Sequence, residues 1–414
     1  MTIKRYTLLF LTTLLLLPLP MTAQTEDETD DIVADTLTAD TAAIDLPWPQ
    51  NVQERLCRLT ELPMLQTSQL GLMVWDLTAD SALFCYNHRQ TLRPASTMKL
   101  VTAIAAIDRL GGDYKWNTSL YYKGFIDGNT LRGDIYAEGA MDPAFDITDL
   151  RDFVYKIRHL GIDTIEGRLI ADVSLKDTLK WGEGWCWDDK NYDLSPLLVG
   201  KKANFMERFQ NELAREGVVV TNPTATKGQA PADACLIATC SRPIDEVLLR
   251  MMKESDNLYA EALYYRLAAA YGMRPAKAIH ARTLKKQLVS HLGLDPDNYR
   301  FADGCGLSLY NYVSAELEVM LLRYAWQTPR IGAHLMPSLP IAGVDGTLKK
   351  RMKKTTAEGN VKAKTGTLTG ISSLAGYCTA ANGHELCFCI INQGVLRNSD
   401  GRNFQDRVCV ALCE

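Results

Sequence analysis

Apolar and polar residues alternate along several short stretches of the chain, a pattern that predicts β-strands. Two of them, Gly71 to Leu77 and Ala82 to Tyr86, flank a polar turn and predict an antiparallel hairpin. Three more lie near the C-terminus, at Asn360 to Thr367, Ile371 to Thr379 and Leu386 to Asn392. We therefore expect an antiparallel sheet built from both ends of the folded chain.

Apolar residues at helical spacing occupy several other segments of the chain. From Ser96 to Leu110 the apolar positions cover almost the whole helix circumference, which indicates a helix buried on all sides. The same spacing predicts further helices at 201–216, 243–253, 258–271 and 402–413. Helices packed on an antiparallel sheet define the α+β class.

Residues 113–198 differ from the sequence on either side. Short strand-like runs there surround one amphipathic helix, and a loop with three tryptophans follows. We interpret this segment as a small α+β domain inserted into a catalytic domain formed by residues 51–112 and 199–414.

The N-terminus has the features of a secretory signal. Lys4 and Arg5 precede an apolar run at 8–19, and small residues end at Ala23. We expect cleavage after residue 23, export to the periplasm and no stable membrane anchor, because a span needs roughly 20 apolar residues. Residues 24–50 contain eight acids and no Lys or Arg, which predicts a disordered leader.

Composition removes several classes of function. The net charge of −4 over 414 residues leaves no basic stripe for nucleic acid. The eleven cysteines contain no C-x-x-C, and the six histidines are scattered, so we expect no metal site. Most of the cysteines are expected to be small core residues, the odd number leaves at least one thiol without a partner in the chain, and the sequence leaves any disulfide pairing open. No phosphate-binding glycine loop is present, and we expect no cofactor.

The first chemical motif is Ser96-Thr97-Met98-Lys99, an S-x-x-K at the start of the buried helix. Lys99 follows one turn later and shares a helix face with Ser96. A serine hydroxyl needs a neighbouring base, and a lysine becomes one when burial lowers its pKa. The alternative is a helix cap followed by a surface lysine.

Two further motifs follow in order along the chain. Ser255-Asp256-Asn257 lies between two predicted helices, where its hydroxyl and amide can relay a proton or act as ordinary helix caps. Lys364, Thr365 and Gly366, followed by Thr367, lie on a predicted strand. That strand can bind an extended peptide along its edge, or can carry an edge lysine that deters aggregation.

Together these motifs and their surroundings resemble the class C low-molecular-mass penicillin-binding proteins, which are D-alanyl-D-alanine carboxypeptidases and endopeptidases. The resemblance covers "RPASTMKLVTAIAAIDRLG", "MMKESDNLYAEAL", "DGCGLSLYNYVS" and "VKAKTGTLTGISSLAGY". It implies a serine β-lactamase/transpeptidase-like fold and acyl transfer to peptidoglycan stem peptides, with β-lactams as inhibitors.

The resemblance also assigns roles to residues. It implies that Ser96 is acylated, that Lys99 is its base, and that Ser255 and Asn257 assist proton transfer. Binding of the substrate carboxylate and oxyanion falls to Lys364, Thr365, Gly366 and Thr367, and a position near the substrate side chain falls to Asp142. Cys305 stands where the family usually has Ser, and Ala140 and Met141 replace glycine-rich sequence.

Two other functions fit the same motifs. A β-lactamase would need an efficient deacylating base such as the Glu of an E-x-x-L-N loop, and no such run is present. A catalytically silent penicillin- or peptidoglycan-binding protein would not need intact Ser96, Lys99 and Lys364.

Overall fold

The computed structural model describes residues 46–189 and 191–414. The predicted signal peptide at 1–23 and most of the acidic leader lie outside them. The end of that leader packs against the folded chain, since the Trp48 ring lies 5.0 Å from the His384 ring between centroids. Within the described ranges, none of the helices is both long and apolar enough to span a bilayer.

The main sheet has five strands in the order β2-β1-β10-β9-β8. Their bounds are β1 (Gln69–Asp76), β2 (Ser81–Tyr86), β8 (Lys362–Leu368), β9 (Ile371–Thr379) and β10 (Glu385–Gln393). All four pairings are antiparallel, and β1 pairs with β10 along its whole length. The predicted sheet built from both ends of the chain is confirmed, and β8 is one of its two edges.

Ten helices surround the two sheets in the described chain. They are α1 (Gln50–Thr60), α2 (Met98–Leu110), α3 (Ile147–His159), α4 (Phe205–Arg215), α5 (Ile244–Lys253), α6 (Asn257–Ala269), α7 (Ala278–His291), α8 (Ala315–Gln327), α9 (Pro329–Ser338) and α10 (Asn398–Cys413). Short 3₁₀ turns occur at Pro63–Gln66, Ala95–Thr97, Pro296–Asn298 and Gly346–Leu348.

The main sheet has a helical layer on each face because side chains alternate along its strands. Leu72 and Val74 pack against α1 and α10, whereas Met73 and Trp75 face the opposite side of the sheet. On that second side lie α2 and the helices from α5 to α9. Helix α2 is buried from Met98 to Ile107, as its apolar circumference predicts.

A second sheet has the order β6-β5-β4-β3-β7. Its strands are β3 (Lys115–Asp127), β4 (Thr130–Glu138), β5 (Thr164–Asp172), β6 (Val219–Lys227) and β7 (Cys235–Pro243). Strand β3 pairs antiparallel with β4 and β7, whereas β4, β5 and β6 are parallel. Apolar residues of α3 and α4 cover one face of this sheet.

This strand pairing moves the boundary of the inserted unit. The sequence places it after residue 198, but α4, β6 and β7 belong to the second sheet and its core. The unit defined by the second sheet therefore runs to Pro243, where the chain enters α5.

The cysteines follow the expected pattern of small apolar residues. Six of the eleven are buried, and all eleven are thiols. Cys387 and Cys389 point to the same side of β10 and lie between the sheet and α8. Cys409 and Cys413 pack in the core on the opposite face.

Candidate active site

Ser96 lies in the middle of a strained turn. The 3₁₀ turn Ala95–Thr97 leads directly into α2, and Ala95 has φ +48°, a value that non-glycine residues rarely adopt. Gly306 lies against this turn, since a Cβ there would come within 1.8 Å of the Ala95 carbonyl oxygen. Surrounding groups therefore hold the backbone in a costly conformation, as is common at functional sites.

Lys99 is fully buried beside Ser96, which rules out the alternative of a surface lysine. Its Nζ donates to Asn257 Oδ1 at 2.8 Å and to the Cys305 carbonyl oxygen at 2.8 Å, and it lies at hydrogen-bond distance, 2.9 Å, from Ser96 Oγ. Burial lowers the pKa of Lys99, and the electrostatic effects of Cys305 and then of Asp303 oppose this shift.

Ser255 and Asn257 occupy the sharp break between α5 and α6. Ser255 has φ +57°, and Asp256 caps α6 by accepting from the Leu258 N–H at 3.1 Å. Lys201 and Arg250 both pair with the Asp256 carboxylate. Asp256 is therefore the cap of α6. The side chains of Ser255 and Asn257, on either side of it, remain available to the cleft.

Strand β8 brings the third motif to the same place. Lys364 is fully buried, so it is not an exposed lysine that guards a sheet edge. Its Nζ donates to Ser255 Oγ at 2.9 Å and to the Thr365 carbonyl oxygen at 2.7 Å. The Thr365 hydroxyl points outward and donates to Thr347 Oγ1 at 2.8 Å.

Gly366 allows the strand to touch the turn that carries Ser96. A Cβ at this position would lie 2.1 Å from Ser373 Oγ, 2.7 Å from the Pro94 carbonyl oxygen and 2.9 Å from Ser96 N. Any side chain would therefore separate β8 from the turn. The contact places the Gly366 backbone beside the Ser96 N–H.

The two buried lysines have different surroundings. Burial, and then the positive charge of Lys99, hold the pKa of Lys364 well below its usual range. Among residues 46–189 and 191–414, no acidic group offsets that shift, whereas acidic groups do so for Lys99. The surroundings of Lys364 therefore favour the neutral amine more strongly than those of Lys99 do.

Glu261, a residue that the sequence interpretation missed, supports the loop that carries Cys305. Its buried Oε1 accepts from the Gly304 N–H at 2.7 Å and from the Cys305 N–H at 2.8 Å. These bonds aim the Cys305 carbonyl at Lys99. The only hint in the sequence is an acid within an otherwise apolar helical run.

Asp303 anchors the other half of the same loop. Its carboxylate accepts from the N–H groups of Gly306 and Ser308, both at 2.8 Å, and from Trp185 Nε1 at 2.9 Å. Through Trp185 the tryptophan-rich loop is bound to the loop that contacts Lys99. Because Glu261 and Asp303 are occupied by backbone donors, we interpret this acidic cluster as a loop anchor.

The structure does not bring Asp142 into this cluster. Its buried carboxylate accepts from the Ala144 N–H at 2.9 Å and pairs with Arg242 at 3.4 Å. Burial raises the pKa of Asp142, and these two donors oppose the shift. A contact with substrate thus stays a prediction that the geometry does not support; the observed contacts tie Asp142 to β7.

Comparison with protein families identifies this arrangement. The chain matches the D-Ala-D-Ala carboxypeptidase 3 (S13) family over residues 52–201 and 197–413. It belongs to this family. The predicted serine-type D-Ala-D-Ala carboxypeptidase, a peptidase that acts on peptidoglycan, is therefore confirmed at the level of the S13 family.

Individual relatives of this S13 chain are distant but cover most of it. The D-alanyl-D-alanine carboxypeptidase of Actinomadura sp. (strain R39) is 27% identical over 442 residues, covering 83% of this chain and 81% of that protein. The carboxypeptidase DacB of Haemophilus influenzae is 25% identical over 406 residues, 78% of this chain and 84% of that protein.

A solved structure has the same fold. The crystal structure of penicillin binding protein 4 from Haemophilus influenzae aligns with a TM-score of 0.78 at 24% identity, covering 85% of this chain and 97% of that one. The predicted α+β fold of the penicillin-binding type is thus confirmed.

Proposed function

We propose that Ser96 is the nucleophile of this S13 peptidase and that neutral Lys99 takes its proton. The observation that carries the proposal is the position of Lys99 Nζ, which bonds at once to Ser96 Oγ and Asn257 Oδ1. A desolvated amine at hydrogen-bond distance from a hydroxyl is the arrangement that general-base catalysis requires.

The reaction is an acyl transfer in two steps. Ser96 Oγ attacks the carbonyl carbon of the penultimate D-Ala, and its proton moves to Lys99 Nζ. The C–N bond to the terminal D-Ala then breaks, and the leaving nitrogen takes a proton from Ser255 Oγ, which Lys364 and Lys99 resupply. A water molecule hydrolyses the acyl-enzyme and regenerates the Ser96 hydroxyl.

The substrate binds along the edge of β8. The N–H groups of Ser96 and Thr367 stabilise the oxyanion, since Gly366 holds the two backbones together. The hydroxyls of Thr365 and Thr367 and the amine of Lys364 receive the terminal carboxylate. β-Lactams react at the same serine; a β-lactam complex of the Haemophilus influenzae penicillin-binding protein 4 supports this extension.

Export to the periplasm completes the proposal. The signal sequence at 1–23 supports it, because peptidoglycan lies outside the cytoplasmic membrane. A fusion of the first 50 residues to a reporter active only after export would test it; a reporter retained in the cytoplasm would contradict it.

Mass spectrometry tests the nucleophile. Incubation with benzylpenicillin should add one acyl group to the peptide containing Ser96, and incubation with a pentapeptide muropeptide should release D-Ala. Ser96→Ala should abolish both, whereas Ser68→Ala, on the half-exposed loop before β1, is the matched control. An adduct on another residue would overturn the assignment, and rapid turnover of a chromogenic cephalosporin would favour a β-lactamase.

A further inference from the structure

One buried carboxyl group near Ser96 has no place in the mechanism above. Glu318, on α8, is 1% exposed. Its Oε1 lies 2.8 Å from Thr97 Oγ1, and its Oε2 accepts from the Cys389 thiol at 3.3 Å. Among the described residues, no cation pairs with it, and the Cys389 thiol is the one titratable group in contact with it. An ionised carboxylate in such surroundings is costly.

The hydrogen count at Thr97 is the decisive observation. Thr97 Oγ1 lies within hydrogen-bond distance of two acceptors, Glu318 Oε1 at 2.8 Å and the Pro94 carbonyl oxygen at 2.9 Å. A threonine hydroxyl has a single hydrogen and can donate to only one of them. Both contacts are satisfied when Glu318 carries a proton and donates it to Thr97, which then donates to Pro94.

The chain of bonds ends at the nucleophile turn. Pro94 immediately precedes the strained residue Ala95, and its carbonyl oxygen also accepts from Ser373 Oγ. We propose that Glu318 is a protonated positioning residue, which fixes the turn carrying Ser96 through the chain Cys389–Glu318–Thr97–Pro94. The inference rests on the proposed role of Ser96 as nucleophile.

Ionisation of Glu318 reverses one bond in this chain. A carboxylate has no hydrogen to donate, so the Thr97 hydroxyl must turn toward Glu318 and release Pro94. Burial raises the pKa of Glu318 to about 7, which places this change near neutral pH. The protonated clamp is therefore complete below that pH and is lost above it, and acylation of Ser96 slows accordingly.

The pH dependence of acylation tests the clamp. Gln at 318 keeps the donor to Thr97 and cannot ionise. We expect Glu318→Gln to match the wild type in its benzylpenicillin acylation rate at about pH 6. Above about pH 8 it should exceed the wild type about fivefold, roughly the value of one hydrogen bond. A ratio of variant to wild type that stays flat from about pH 6 to pH 9 would overturn the proposal.

Two further variants control for other causes. Glu316→Gln makes the same exchange on the same helix, where the side chain pairs with Arg89 at 3.1 Å, and should give a flat ratio. Thr97→Val cuts the chain at its middle. It should slow acylation at about pH 6 and bring its rate closer to that of the wild type above pH 8. If Glu318→Gln does not fold, a flat ratio for Thr97→Val overturns the proposal instead.

Infrared spectroscopy separates this proposal from the proposed function. The wild type minus Glu318→Gln difference spectrum at about pH 6 should contain the C=O band of a protonated carboxylic acid, which disappears as the pH rises past about 8. A carboxylate band at pH 6 would contradict the clamp. A wild type that does not react with penicillin contradicts the role of Ser96, whereas the infrared band reports the proton on Glu318 in either case.

Discussion

At the scale of single residues, the site is organised around two buried amines with different neighbours. Lys99 bonds to three oxygen atoms, and nearby acidic groups partly offset the effect of burial on its pKa. Within the described part of the chain, no acidic group compensates for burial at Lys364. A proton released by Ser96 is therefore better held at Lys99, and Lys364 suits a neutral relay partner for Ser255.

Replacement of Lys99 by arginine separates its charge from its basicity. Arg keeps the positive charge but stays protonated at any pH used for proteins, so it cannot accept the proton of Ser96. We expect Lys99→Arg to slow benzylpenicillin acylation by about 10² to 10⁴, the range for loss of a general base. Lys349→Arg, at an exposed position, is the matched control. Acylation rates are measured by stopped-flow with fluorescent penicillin. If Lys99→Arg is acylated at the wild-type rate, Lys99 is not the base.

Sequence patterns revealed the residues that face the cleft but not those that support them. Ser96, Ser255 and Lys364 stand in short motifs, and the structure joins them through Lys99 and Asn257. Glu318 contacts Thr97, and Glu261 contacts the loop at Cys305, only after the chain has folded, and no local spacing marks either residue. Asp142 shows the converse, because the resemblance gave it a role near the substrate, whereas its carboxylate bonds to the Ala144 N–H and to Arg242 of β7.

At the scale of elements, β8 packs closely against the turn that carries Ser96. We expect Gly366→Ala to push the strand away from Ser96, since its Cβ would come within 2.1 Å of Ser373 Oγ. Overpacking of this kind costs roughly 1–3 kcal/mol of stability. Acylation should fall at least about tenfold, because a misplaced oxyanion donor alone has a larger effect.

A second glycine provides the control for this variant. At Gly228, on the second-sheet unit, a Cβ would meet only Ile170 Cγ2 within 4 Å, at 3.1 Å. Thermal unfolding and penicillin acylation should be measured for both variants. Normal acylation by a folded Gly366→Ala would show that the spacing between β8 and Ser96 is not critical.

The loop held by α6 gives a prediction about pH and stability. Burial raises the pKa of Glu261 to about 7 from 4.5, so folding favours its protonated form. The stability that this group contributes is complete below pH 4.5 and is lost as the pH rises through about 7. Glu261→Gln keeps an oxygen for the Gly304 and Cys305 N–H groups and escapes this loss.

The difference in stability between the two proteins should therefore depend on pH. From about pH 5 to pH 7, the free energy of unfolding of Glu261→Gln should rise relative to that of the wild type by at most about 1.4 kcal/mol per pH unit. Urea unfolding at several pH values measures the gain. Glu207→Gln, at an exposed position on α4, is the matched control for exchange of a carboxylate for an amide. A difference that is constant with pH would contradict a proton held by Glu261.

Most elements of the main sheet and its helices were predictable because each buries a regular apolar pattern. Strands β6 and β7 were not, since they are the two edges of the second sheet and most of their side chains are exposed or half-buried. Without an apolar face there is no alternation to detect. The boundary of the inserted unit was therefore predicted at residue 198, before these two strands, and not at Pro243.

At the scale of the whole molecule, the second sheet leaves and rejoins the main body at one point. The Ile244 N–H donates to the Tyr114 carbonyl oxygen at 3.0 Å, next to the pairing of Lys115 with Pro243. The two ends of the unit are therefore adjacent. The unit is not independent of the body, because Trp116 and Leu175 pack in the same core as α2.

Two excisions compare the boundaries directly. Removal of 115–243, with Tyr114 joined to Ile244 through two glycines, takes out the complete second sheet and connects groups already in contact. Removal of 113–198 leaves β6 and β7 without β3 and β5, the strands with which they pair. Unpaired strands promote aggregation, so we expect the longer excision to give more soluble protein. That protein should unfold at a lower temperature than the wild type, since Trp116 no longer fills the core beside α2. If the protein with the shorter excision is equally soluble and folded, β6 and β7 belong to the catalytic domain.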